Sequence, residues 1–459
     1  MAHLYVSAAH KSSGKTVIAT GLCAALRARG LGVQPFKKGP DYIDPMWLGR
    51  AAGRACRNLD FFTMATAEII AACNRYGSDA DISIIEGTKG LHDGVAVDGS
   101  DSNAALTKLL AAPVVLVVDA RGLTRGVAPL VDAQSRFDGD VVTAGVILNR
   151  VGGPRHEGKL RAAIEHYTDI PVLGAVSDNK ALTIPESHLG LLPANDHPQA
   201  AGVIASICEA VVEQVDLDQV LSIARTAHWP AGHGDTHLPD CNDGSVRIGV
   251  ARDAAFGFYY PGDLEGLQAA GAELQFFNTM TDESLPDVDA LFIGGGFPER
   301  HMDALAANKP LQQAVKSRIQ SGMPVYAECG GLMYLSRSLA WHGRRAPMVG
   351  AIAADTVMHE KPRGRGYVKL RETGKSPWPL LDGDNKERIV YAHEFHYSNL
   401  ENCAPDVDFA YEVVRGHGVD GKHDGLVTGN VLASFSHLRD VSAHPWTRRF
   451  VAFVRARRR

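Results

Sequence analysis

The chain has 459 residues, 45% of them hydrophobic and 22% charged, with a formal net charge of −5. That length exceeds one ordinary core and predicts two or three domains, and the acidic balance gives no electrostatic case for nucleic acid. Seven cysteines form no C-x-x-C pair, no apolar run approaches the ~20 residues of a membrane span, and the first residues enter a strand directly, so a cytoplasmic protein without zinc cluster, disulfide frame or membrane contact is expected.

The short apolar run Leu4-Tyr5-Val6 reads as a buried strand, and residues 17–26 have the spacing of a helix. Between them stand Ser7-Ala8-Ala9-His10-Lys11-Ser12-Ser13-Gly14-Lys15-Thr16. Strand, polar loop, Gly-Lys-Thr and helix are the context of a phosphate-binding loop. Ser13 and Gly14 would offer backbone to an anion at the helix N-terminus, Lys15 would reach terminal phosphates, and Thr16 would meet Mg²⁺. The motif is incomplete, because Ala9 stands where its first glycine belongs. The competing reading is a plain helix start capped by Ser12 or Ser13.

Strands are predicted at 4–8, 32–37, 81–85, 113–118, 142–148 and 171–176, with helical patterns between them, for example at 103–110 and 155–166. Several strands are continuous Val/Ile/Leu runs, as expected for a parallel sheet covered on both faces, with ligands at the carboxyl ends of the strands. Two strand ends carry carboxylates, in Lys37-Lys38-Gly39-Pro40-Asp41-Tyr42-Ile43-Asp44-Pro45 and in Glu86-Gly87-Thr88-Lys89-Gly90-Leu91-His92-Asp93-Gly94. Such carboxylates can hold Mg²⁺ together with Thr16, or serve as turn and cap residues. Two more strand ends are Val117-Val118-Asp119 and Val146-Ile147-Leu148-Asn149-Arg150; Asn149 there suits a purine edge or a local Asx turn.

Helices at 202–215 and 217–224 follow, and turn formers then dominate, which puts a linker at 228–245 between domains 1–227 and 246–459. The second domain also alternates, with strands at 246–250, 290–293 and 324–327, and later segments at 349–353, 367–370, 389–391 and 431–435 look more antiparallel. Tyr326-Ala327-Glu328-Cys329-Gly330-Gly331-Leu332 reads as a nucleophile elbow whose helix N-terminus lowers the thiol pKa. Backbone N–H groups of Gly295, Gly296 and Gly330 suit an oxyanion hole, and His437 ends a late strand as a candidate base. His393-Glu394-Phe395-His396 lacks the metal-binding His spacing. The basic turn Arg363-Gly364-Arg365-Gly366-Tyr367 meets either substrate carboxylates or solvent.

Taken together, the stretches at 36–45 and 86–94, Glu328-Cys329-Gly330-Gly331-Leu332-Met333-Tyr334-Leu335 and Glu394-Phe395-His396-Tyr397-Ser398 resemble the cobyrinic acid a,c-diamide synthases along essentially the whole chain. The first domain is similar to dethiobiotin synthetase, a P-loop NTPase α/β fold with a parallel sheet, and the second to class I glutamine amidotransferases. The resemblance implies ATP- and glutamine-dependent amidation of two acetate carboxylates on a tetrapyrrole, through an acyl phosphate and ammonia. It implies nucleotide and Mg²⁺ roles for Lys15, Thr16, Asp41 and Glu86, roles around substrate and phosphoryl transfer for Asp44 and Asp93, and nucleophile and base roles for Cys329 and His437. Some residues depart from the family pattern. Arg439 stands where a third triad carboxylate is usual, a residue this family itself commonly lacks, so another group must orient His437; Lys89 interrupts a glycine-rich motif, and Ser187 replaces an arginine. Residues 98–105 and 10–13 look like the branch linked to dissimilatory sulfur metabolism, so cobyrinate, hydrogenobyrinate, sirohydrochlorin and siroheme all stay open. Cobyric acid synthase and a nucleotide switch of the partition-protein kind are the rival readings, and a homodimer is left open.

Overall fold

The computed structural model describes residues 1–187, 190–230, 245–381 and 388–458. The chain divides into two compact units, Met1–Thr236 and His237–Arg459.

In the first unit the elements run β1 (Ala2–Ala8), α1 (Lys15–Ala28), β2 (Val33–Lys38), α2 (Ile43–Ala52), β3 (Arg57–Leu59), α3 (Thr66–Gly77), β4 (Ile82–Glu86), α4 (Asn103–Leu109), β5 (Val114–Asp119), α5 (Val127–Arg136), β6 (Thr143–Val151), α6 (Pro154–Tyr167) and β7 (Val172–Ser177). A two-residue pair, β8 (Glu186–Ser187) with β9 (Gly190–Leu191), precedes α7 (Ala200–Gln214) and α8 (Leu217–Arg225). The first seven strands form one sheet in the order β3-β2-β4-β1-β5-β6-β7, with every pairing parallel. Their interiors are buried throughout because apolar clusters cover both faces, one built around α1 and α7 and the other around Tyr5, Leu116 and Ile164. Each predicted strand of this unit is present. The short β3 was not foreseen, since Arg57-Asn58-Leu59 has no apolar run to read.

Helix α1 crosses α7 at a glycine. A methyl group on Gly21 would fall 2.4 Å from Val211 Cγ2, so only hydrogen fits where the two helices meet. The start of the expected linker packs back on this unit. The Trp229 ring stacks on His3 at 3.7 Å, and Asn74 Nδ2 donates to the Pro230 carbonyl. Residues 231–244 of that linker lie outside the described residues.

The second unit begins with β10 (Val246–Ala251), β11 (Phe256–Phe258), α9 (Pro261–Ala269), β12 (Ala272–Phe277), β13 (Ala290–Ile293), β14 (Gly295–Gly296), α10 (Met302–Ala307), α11 (Lys309–Gln320), β15 (Val325–Glu328) and α12 (Gly330–Leu335). It continues with β16 (Ser338–Trp341), β17 (Arg344–Pro347), β18 (Asp355–Met358), β19 (Gly364–Glu372), β20 (Ile389–His396), β21 (Ser398–Glu401), β22 (Asp408–Arg415), β23 (His423–Thr428), β24 (Val431–Ser434) and α13 (Trp446–Arg457). Its main sheet has the order β12-β10-β13-β15-β24-β23-β22-β19-β20. The half from β12 to β24 is parallel and the half from β24 to β20 antiparallel, which matches the expected shift in strand direction. The strand expected at 349–353 does not form. Its N–H groups turn back to the carbonyls of Tyr334, Leu335 and Ser336 at the end of α12, and Val349 and Ile352 plug the core from a loop. Among the described residues no helix is long and apolar enough to cross a membrane.

Gly21→Ala should destabilise the first unit by about 1–3 kcal/mol through overpacking, read from denaturant midpoints. Adding Val211→Ala should recover most of that loss, because it removes the atom the new methyl meets.

Candidate functional site

The first cluster stands at the carboxyl ends of β1, β2, β4 and β6. The loop after β1 closes on Gly14, whose φ of +89° and lack of a side-chain cap set aside the reading of Ser12 or Ser13 as N-cap. Ser13 Oγ instead donates to the His10 carbonyl at 2.8 Å. A methyl group on Gly14 would lie 2.0 Å from Asn149 Nδ2. Asn149 donates from that nitrogen to the Ser13 carbonyl at 2.9 Å, and Arg150 donates to the Ser12 carbonyl at 2.8 Å while pairing with Asp119 at 2.7 Å. The end of β6 therefore straps the loop, and one amide hydrogen of Asn149 is engaged with backbone.

Lys15 is 7% exposed, and burial, reinforced by the charge of Lys37, pushes its amine down to about 8. Thr16 donates to Glu86 Oε1 at 2.7 Å. Lys37 lies at the centre of the cluster, 2.6 Å from Asp44, 3.0 Å from Glu86 Oε1 and 3.1 Å from the Gly87 carbonyl. Burial, with Asp44 nearby, pushes the Asp41 carboxyl up to about 7, although its Oδ1 accepts from the Ile43 N–H at 2.8 Å. Burial also raises the Glu86 carboxyl against the pull of Lys37. Asp93 accepts from the Gly90 N–H at 2.8 Å, and Glu86, Asp44 and Asp93 all favour the charge on Lys15. The structure thus gathers Ser13, Gly14, Lys15, Thr16, Asp41, Asp44, Glu86, Asp93 and Asn149.

Two residues here escaped the sequence reading. Lys37 showed only as a charge ending a buried strand. Asn103 accepts from the Tyr5 hydroxyl at 2.8 Å and the Thr88 N–H at 3.0 Å, and donates to the Thr88 carbonyl at 2.6 Å, so it pins the loop after β4. Its partners are distant in sequence and left no local signal.

The cluster suits a hard cation. Glu86 Oε2 is buried with no hydrogen-bond partner among the described residues, beside the Thr16 hydroxyl. Among the described residues no three His, Cys, Asp or Glu side chains converge as a metal site. A cation here would draw its other ligands from phosphate and water, as Mg²⁺ does.

The second cluster is built on the turn from β15 to α12. Cys329 has φ 46° and ψ −100°, a strained backbone for a residue with a side chain. Its N–H donates to the Ser434 carbonyl at 2.7 Å. Glycines make room around it. A methyl group on Gly331 would meet the Ile293 carbonyl at 2.1 Å, and one on Gly330 the Gly296 nitrogen at 3.0 Å. A methyl group on Gly295 would fall 2.5 Å from His437 Cε1. Cys329, Gly295, Gly296, Gly330 and His437 are therefore neighbours. Burial pushes the Cys329 thiol up and Glu299 adds to that, so the Gly330 N–H at the short helix start does not produce the lowered pKa expected from sequence. Desolvation outweighs the helix end.

The His437 ring stacks on His393 at 4.9 Å, and its Nδ1 lies 3.4 Å from Glu328 Oε2. Asp424, fully buried, accepts from the N–H groups of Phe435 and Ser436 at 3.0 and 2.9 Å and fixes the chain just before His437. Glu394 accepts from the His417 and Gly418 N–H groups, and His396 stacks on Phe435, so the 393–396 segment braces this end of the sheet. Arg365 is exposed over the Phe395 ring.

Residues 6–192 match the CobQ/CobB/MinD/ParA nucleotide binding domain, and residues 247–442 match the CobB/CobQ-like glutamine amidotransferase domain. A cobyrinate a,c-diamide synthase of Magnetococcus marinus is 46% identical over 99% of this chain and 97% of its own length. The chain belongs to the cobyrinate a,c-diamide synthase family. Other members, from Archaeoglobus fulgidus and Methanosarcina acetivorans, are 42% and 40% identical over 95% of this chain and over 94% and 92% of their own lengths. In this family member the first unit is a nucleotide-binding domain and the second a glutamine amidotransferase domain.

A polyphosphate held by Lys15 would need its amine charged. Burial and the charge of Lys37 lower its pKa to about 8, so nucleotide affinity should hold at lower pH and weaken as pH rises through that value, by up to roughly tenfold per unit. Calorimetric titrations across this range would check it, and affinity that does not change with pH would contradict it. Gly295→Ala should displace His437 and lower glutamine hydrolysis by roughly a hundredfold while leaving nucleotide binding unchanged, measured side by side on one preparation.

Proposed function

We propose that this chain uses ATP and glutamine to convert the a and c acetate carboxylates of a tetrapyrrole into amides. Cobyrinate, the ring in the relatives' name, is the proposed substrate. The observation that carries the reading is near full-length identity, across both units, to a protein of that name. The two clusters support it, since each has the residues for one half of such a reaction.

A carboxylate resists attack by ammonia, because its charge repels the lone pair and oxide is a poor leaving group. The N–H groups at the head of α1 and the Lys15 ammonium would hold the phosphates, so that the terminal phosphoryl group passes to a substrate carboxylate and gives an acyl phosphate. Thr16, Glu86 and Asp41 would hold Mg²⁺, which supplies neutralising charge for that transfer. Asp44 and Asp93 would stand around the reacting groups. Ser13, Gly14 and Asn149 would fix the nucleotide end of the site.

In the second unit Cys329 Sγ would bond to the side-chain carbonyl carbon of glutamine. His437 would take the thiol proton and hand it to the departing ammonia. N–H groups of Gly295, Gly296 and Gly330 would receive the developing oxyanion. Water then cleaves the thioester to glutamate. Ammonia displaces phosphate from the activated acetate.

The test is product mass after incubation with ATP, glutamine and a panel of cobyrinate, hydrogenobyrinate, sirohydrochlorin and siroheme. Two carboxyl-to-amide conversions on cobyrinate are expected. Product from sirohydrochlorin or siroheme alone would overturn the ring assignment, and ATP turnover indifferent to every ring acid would favour a nucleotide switch. Cys329→Ala should lower glutamine-dependent amidation by at least about a thousandfold and spare amidation with added ammonium. Glu86→Gln should abolish amidation with either nitrogen source, and full activity in that variant would remove Glu86 from the Mg²⁺ site.

A further inference from the structure

A histidine base needs a partner that selects its tautomer and steadies the charge it acquires. The position two residues after His437 holds Arg439, whose guanidinium lies 5.0 Å from the Tyr260 ring centre and carries no negative charge. Asp424 faces the wrong way, because its two oxygens receive the N–H groups of Phe435 and Ser436. His393 stacks face to face on the ring and supplies no anion.

Glu328 is the carboxylate that stands beside the ring. Its Oε1 is fixed by the Tyr326 hydroxyl and by the Leu438 N–H, the latter at 2.9 Å. Its other oxygen, Oε2, lies 3.4 Å from His437 Nδ1, within ion-pair range. Both side chains are 3% exposed, so water does not screen the pair. The Leu438 contact also ties this carboxylate to the backbone next to the base, which limits both ring rotation and chain drift.

We infer that Glu328 is the positioning carboxylate of the glutaminase site, holding the His437 proton on Nδ1 and leaving Nε2 to serve the Cys329 thiol. The proton passes from Sγ to Nε2 and on to the leaving ammonia. Glu328 itself takes none, and balances the imidazolium while it lasts. The residue that orients the base is thereby adjacent in sequence to the nucleophile, so the end of β15 carries both.

This assignment rests on the roles proposed above for Cys329 and His437, and one set of variants separates the two. If Cys329→Ala or His437→Ala still uses glutamine, that underlying reading fails. If both lose glutamine use, Glu328→Gln decides the inference. The amide still accepts from Tyr326 and Leu438 but lacks the charge. Expected are a fall in kcat for glutamine-dependent amidation of roughly a hundredfold or more, a KM for glutamine within about threefold of the parent, and ammonium-dependent amidation within about twofold. Glu328→Asp, which restores the charge, should recover at least about tenfold over the amide variant. A parental kcat in Glu328→Gln, equal kcat in the Gln and Asp variants, or an equal loss with ammonium would each overturn the inference.

Discussion

The nucleotide-binding unit depends on one ammonium group held away from water. Lys37 is 2% exposed at the end of β2, where burial works against its charge, yet Asp44 and Glu86 raise its pKa above the ordinary value. Removing either acid would leave a buried cation underpaired, a loss of about 3–5 kcal/mol. The same pairing sets local geometry. Asp44 draws the start of α2 inward, and Glu86, bound to Lys37 through Oε1, receives the Thr16 hydroxyl on that oxygen as well. Lys37 also adds its repulsion to the burial that holds the Lys15 amine below its ordinary pKa. A polyanion entering here meets one cation already satisfied by carboxylates and another that gains by its arrival.

Both units use the same device for their chemistry. A buried parallel strand near the middle of a sheet is followed by a residue of positive φ that begins a helix, at the end of a six-residue loop in the first unit and directly in the second. In the first unit the turn residue is Gly14, where no side chain fits against Asn149. In the second it is Cys329, whose side chain leaves the backbone with strain of about 1–3 kcal/mol. The surrounding glycines make that conformation possible, since methyl groups at positions 330 and 331 would strike the neighbouring strands. The two turns share a positive φ but not a ψ, +23° at Gly14 and −100° at Cys329, so they aim the chain differently.

What the sequence made readable follows the same physics. The parallel strands announced themselves because burial on both faces demands unbroken apolar runs, and the two turns because their small residues are obligatory. Segment 349–353 misled for a related reason. Val349 and Ile352 are apolar because they fill a hole beneath α12, a need that a loop meets as well as a strand. The residues that escaped, Lys37, Asn103 and Glu328, share one property. They act on groups 50, 98 and 110 positions away, Gly87, Tyr5 and Leu438, and no local pattern encodes such pairings. Glu328 was in full view beside Cys329, but its meaning depends on where β24 returns the chain.

The buried thiol has a chemical consequence beyond the amide reaction. Peroxides and disulfides attack thiolates far faster than thiols. Burial, reinforced by Glu299, raises the pKa of the Cys329 thiol and so disfavours the thiolate that oxidants attack. In the glutaminase role proposed for it, such a sulfur would be shielded from oxidants until its base draws the proton away.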